Sequence, residues 1–224
     1  DPPPTADVIG ASPAVGASPK MTAGGPPLPS RPLGSAFGGG GPSTPLVELF
    51  LDLACPFSAK QLRAVYPAAQ PGGALHGKAR FVMEHVIQPW HAQSEVLHAV
   101  AFAVRARKGV DAALSYCLAV LDAYESFTDA AVAGETRLET AARAAALAET
   151  SVGMPAAELL PLVTPGRAEN APIHQLEKWT VRQHRARGVH VTPTVFVHGV
   201  EAPQVSSSWT VEQWLAMLDE LATD

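Results

Sequence analysis

A chain of 224 residues, 47% apolar and 17% charged, with a formal net charge of −5, has room for one sizeable domain and lacks the basic face that nucleic-acid binding needs. Two cysteines, Cys55 and Cys117, exclude a disulfide framework and favour a reducing intracellular compartment or organelle. No apolar run approaches the roughly 20 residues that cross a bilayer, so no membrane span is expected.

The chain begins at Asp1 rather than Met, as it would after removal of a targeting peptide or at the boundary of a fragment. Residues 1–45 hold 11 of the 21 prolines and 9 of the 18 glycines, with Phe37 the only aromatic. Such a composition buries too little apolar surface to offset its ordering entropy, so it reads as a tail or linker ahead of a domain over 46–224. Were it ordered, a partner surface would hold it, which makes it a candidate contact to a protein assembly.

Leu46–Leu53 reads as a strand buried on both faces. Cys55 follows it, and Pro56 fits the first position of a helix expected to reach about Tyr66 and to stop at Pro67. Ala79–Val86 reads as the next strand, which implies a right-handed parallel βαβ unit. Residues 92–188 then read as a helical insertion. Its parts are a helix over Ser94 to Lys108, another over Asp111–Tyr124 with the stripe Leu114, Cys117, Leu118 and Leu121, and a third opened by the Thr136/Glu139 capping box. Pro155 and Pro172 open two more, the last finishing in Arg182, Arg185 and Arg187 before Gly188. Val189–His198 reads as a strand with Pro193 at its mouth, followed by a partner around Val205 and a terminal helix capped by Thr210 and Gln213. The order is β-α-β, helical insertion, β-β-α: an α/β chain.

Cys55-Pro56-Phe57-Ser58 after the first strand and Val191-Thr192-Pro193 opening the third resemble the thioredoxin fold with a helical insertion, as in the DsbA-like family. That family includes kappa-class glutathione transferases and 2-hydroxychromene-2-carboxylate isomerases. The pieces Leu49-Phe50-Leu51-Asp52, Gln88-Pro89-Trp90-His91 and Ser206-Ser207-Ser208-Trp209-Thr210 are similar to a eukaryotic DsbA-like group. The resemblance covers about residues 46 to 222. It implies that Cys55 is the nucleophile, that Pro193 is a cis-proline, and that Ser58 replaces the resolving cysteine of a dithiol centre.

The residues point to the same edge without it. In a parallel βαβ unit both strands end at one sheet edge, so Cys55 and the Gln88–His91 loop arrive there, and an antiparallel third strand brings Thr192-Pro193 to it. A cysteine at a helix N-terminus is favoured as thiolate, and Ser58, one turn on, can hydrogen-bond the sulfur. Pro56, Phe57 and Trp90 would wall the site, and Thr192-Pro193 would bind an extended substrate backbone. A single thiol releases a mixed disulfide only with a second thiol from elsewhere, which points to glutathione as co-substrate and to no tightly bound cofactor.

Two function classes follow: a monothiol, glutathione-linked thiol oxidoreductase or transferase, or a redox-inactive binding or assembly subunit using the same groove. Cys117 in its apolar stripe reads as a packed thiol. His85, His91 and His98 raise a metal question that no completing ligand pattern supports, so no metal site is expected.

Overall fold

The structure, a computed structural model, describes residues 27–222. At its centre β2 (Leu46–Leu51) lies parallel to β3 (Arg80–His85) and antiparallel to β4 (Thr194–Val197). Two short strands complete the sheet: β1 (Ser35–Phe37) runs antiparallel along β3, and β5 (Val200–Glu201) along β4, giving the order β1-β3-β2-β4-β5. The alternation of side chains along β2 explains its all-apolar look. Val47, Leu49 and Leu51 enter the main core, while Phe50 joins Val86, Val189 and Phe196 in a second cluster.

α1 (Pro56–Ala68) links β2 to β3 and runs one residue past Pro67 rather than stopping before it. Between β3 and β4 lie α2 (Ser94–Lys108), α3 (Val110–Asp122), the single turn α4 (Asp129–Val132), α5 (Arg137–Val152), α6 (Ala156–Val163) and α7 (Ala171–Ala186). α2 is buried without a break from Val96 to Val104, and it packs on α3, α5, α6 and α7. A helix covered all round belongs in the interior. α5 also packs on it and buries Ala141, Ala144, Ala145 and Ala148, small residues that allow close approach. The capping boxes Thr136/Glu139 and Thr210/Gln213 open α5 and α8 (Val211–Leu221), and Trp209 meets Trp214 edge-on at 5.6 Å.

Three expectations change. The strand expected over Val189–His198 is only Thr194–Val197, because Val189–Pro193 forms a loop. Its partner comes at Val200 rather than near Val205: His198 and Gly199 both take positive φ (50° and 83°), the signature of a two-residue type I′ hairpin. The segment expected to be tail supplies β1, although residues 1–26 lie outside those described. Residues 27–37 make contacts within their own chain. The Trp179 indole N–H donates to the Pro27 carbonyl at 2.6 Å, and Arg105 donates to the Pro32 and Leu33 carbonyls. At Gly34 a Cβ would stand 2.4 Å from both Glu84 and Val82, so only glycine lets the segment lie this close to β3.

The Glu48–Glu84 face of the sheet carries buried charge. Arg187, just past α7, grips Glu48 through its two terminal guanidinium nitrogens (3.0 and 2.9 Å) and stacks on Phe196 at 4.4 Å and Phe50 at 5.4 Å. Glu84 beside them is pushed up to about 7, first by burial and then by the Glu48 carboxylate.

Candidate active site

After Leu51 the chain turns through Asp52, Leu53 and Ala54 into Cys55, which caps the N-terminus of α1 with an extended backbone (φ −98°, ψ 124°), and Pro56 occupies the first turn. Proline there gives up an N–H that has no helical acceptor anyway. Cys55 is only 5% exposed, and its thiol donates to the Thr192 carbonyl across 3.4 Å. Its side chain makes no capping hydrogen bond to the first turn of α1 among the described residues.

Thr192 stands on the loop that enters β4, and its bond to Pro193 is cis. The loop is fixed from two sides: the Thr194 hydroxyl donates to the Val191 carbonyl (2.8 Å), and the Gln88 amide donates to the His190 carbonyl (3.1 Å). The loops after β2, after β3 and before β4 therefore meet at one sheet edge. Phe57, Trp90 and Val191, one on each loop or its adjoining helix, are 60%, 59% and 63% exposed.

Cys55, Thr192 and Pro193 thus come together, with Pro56 and Phe57 exposed beside them. Trp90 sits on the adjoining loop with its ring against His91 at 6.3 Å. Ser58 is fully buried, and its hydroxyl accepts the Asp52 N–H at 3.2 Å. It makes no hydrogen bond to the sulfur among the described residues, so its part here is to brace the loop.

Sequence reasoning missed several neighbours. Tyr124, in the turn after α3, lies within electrostatic reach of the thiol; its phenol is held above its ordinary value by burial first, then by Glu125, Cys55 and Asp129. Asp129 accepts from the Gln93 amide (3.0 Å) and contacts His91 (3.1 Å), and these partners, Gln93 foremost, hold its carboxyl below the usual range. Below the loop, Asp52, His98 and His85 form a buried string of polar contacts. Cys117 is packed in the core, its thiol pushed up to about 12 by burial.

No protein-family model matches the chain, and no curated protein sequence does. Solved structures do. A candidate protein-disulfide isomerase from Pseudomonas syringae superposes with a TM-score of 0.64 at 27% identity, over 82% of this chain and 96% of that one. BdbD from Bacillus subtilis gives 0.65 at 12% identity (86% and 94%), and DsbA from Mycobacterium tuberculosis 0.55 at 18% (85% and 93%). The chain has a DsbA-like thioredoxin fold. Within it the helical insertion supplies Tyr124 and His98, and the sheet edge supplies Cys55 and Thr192. No helix among the described residues is long and apolar enough to cross a membrane.

Proposed function

We propose that the chain is a thiol oxidoreductase working through one nucleophilic sulfur, Cys55, with glutathione from a reducing compartment supplying the second. The observation that carries the reading is the seat of Cys55 Sγ at the N-terminus of α1, 3.4 Å from the carbonyl that precedes Pro193. The 27% identical disulfide isomerase candidate supports thiol–disulfide exchange as the reaction class.

In the first step the Cys55 thiolate attacks one sulfur of a substrate disulfide. A Cys55–substrate disulfide forms, and the other substrate sulfur leaves as thiolate. Ser58 has no sulfur with which to resolve it. A glutathione thiolate then attacks the substrate's sulfur, leaving a glutathione–substrate disulfide and restoring the Cys55 thiolate; the electron pairs balance without another oxidant. Thr192 offers its carbonyl to a backbone N–H of an extended substrate, as in strand addition. The open faces of Phe57, Trp90 and Val191 suit apolar flanking residues.

Those same exposed side chains also favour a second reading, a binding or assembly subunit that holds a polypeptide at this edge without turnover. One experiment separates the two. A peptide–glutathione mixed disulfide is assayed with the wild type and Cys55→Ala, alongside iodoacetamide labelling mapped by mass spectrometry. The enzyme reading expects label on Cys55 and not on buried Cys117, and turnover that vanishes in Cys55→Ala. Equal turnover in the two proteins sinks it.

A further inference from the structure

The four backbone N–H groups from Asp52 to Cys55 each have a named acceptor. Asp52 donates to Ser58 Oγ (3.2 Å), Leu53 to His98 Nε2 (3.3 Å), Ala54 to Asp52 Oδ1 (3.1 Å) and Cys55 to the Asp52 carbonyl (3.1 Å). Three of these acceptors belong to the 52–58 segment itself. His98 alone reaches in from the helical insertion. The Asp52 carboxylate is held by the same helix, where the Ser94 hydroxyl donates to Oδ1 at 2.7 Å one turn before His98. The loop that presents the sulfur is therefore hung on α2 at two points.

His98 is completely buried, and the direction of the Leu53 N–H dictates its proton. Nε2 must keep its lone pair to accept, so the ring proton sits on Nδ1. Nδ1 lies 2.8 Å from His85 Nδ1, with the two rings nearly perpendicular at 84°. In that arrangement His85 accepts there and carries its own proton on Nε2. Its burial, then His98 and Arg105, hold it well below the usual histidine value, so it stays neutral. Asp52 Oδ1, 3.3 Å from His98 Nε2, is the rival partner. A proton on Nε2 would turn to that carboxylate and strip the Leu53 N–H of its acceptor. A bare Nδ1 on neutral His85 is what the first arrangement needs, and a proton there would favour the second.

We propose that His98, its tautomer selected by His85, is a positioning residue for Cys55: it fixes the 52–55 turn so that the sulfur faces the Thr192 carbonyl. The inference rests on the reading of Cys55 as nucleophile, but its geometry can be tested apart from turnover. Imidazole 15N spectra of the full chain report the tautomer directly: His98 is expected with Nδ1 protonated and Nε2 bare, and a protonated Nε2 overturns the proposal. His98→Leu removes the acceptor, and His98→Gln restores one through its side-chain carbonyl. In His98→Leu the Leu53 amide is expected to exchange with solvent at least tenfold faster, and kcat to fall roughly tenfold to a hundredfold, as small displacements of a reacting group do. KM should stay within about twofold, because the Thr192 loop is untouched, and His98→Gln should recover most of both. A His98→Leu protein with unchanged Leu53 exchange, or a His98→Gln protein as impaired as His98→Leu, overturns it. If the wild type shows no Cys55-dependent turnover the enzyme reading fails, and the spectra and amide exchange still decide the role of His98.

Discussion

Ser58 stands one helical turn after Cys55, and its hydroxyl is buried against the Asp52 N–H. Removing it strands a donor that water cannot reach. Ser58→Ala is therefore expected to lose roughly 1–3 kcal/mol, the usual cost of an unsatisfied buried group, read as a lower urea midpoint at unchanged slope. Cys55, Pro56, Thr192 and Pro193 were legible in the sequence because each is a local signal at a strand or helix boundary. The string Asp52–His98–His85 was not. Its members come from β2's end, α2 and β3, and only the packing of α2 brings positions 46 apart to within 3.3 Å. Histidines close in sequence raised a metal question that no completing ligand pattern supported. In the fold two of them meet back to back and the third, His91, turns to Asp129.

At the scale of elements, β1 shows why composition misled. Three residues in a Pro/Gly-rich stretch have no strand propensity to read, and their extended state comes from pairing with β3 and from Arg105 holding the carbonyls just before them. The helices and the central strands were legible because their periods are long and their caps explicit. Arg187 is the clamp between the α7 end of the insertion and the sheet. Arg187→Ala leaves Glu48, 8% exposed, without its cation and beside Glu84. The pair is partly open to water, so the expected loss is about 2 kcal/mol, below the range for a fully buried pair. Arg187→Lys should fall between, since an ammonium keeps the charge but loses the two-pronged grip and the stacking on Phe50 and Phe196. Chemical denaturation of the three proteins at one pH ranks them.

For the whole molecule, Glu84 ties stability to pH. Its carboxyl titrates near 7 when folded and near the ordinary 4.5 when unfolded. Between those values the folded state binds more protons than the unfolded one, so this group's contribution falls as pH rises from about 4.5 to about 7 and then levels off. The full difference is of order 3 kcal/mol. Glu84→Gln keeps the shape under Gly34 and removes the titration. Melting curves at pH 5 and pH 8 should therefore lie closer together for the variant than for the wild type.

The order of strands also sets a timetable for synthesis. Leu49 of β2 pairs with Met83, 34 positions on, and with Val195, 146 positions on. At ribosomal rates of about 5–20 residues per second, one edge of the central strand waits roughly 7–30 s for its partner. The helices made in the interval rely on nearer contacts and can close first. Throughout that time an apolar strand edge is open to wrong pairing. The strand whose edge stays open longest is therefore the one that leads into Cys55.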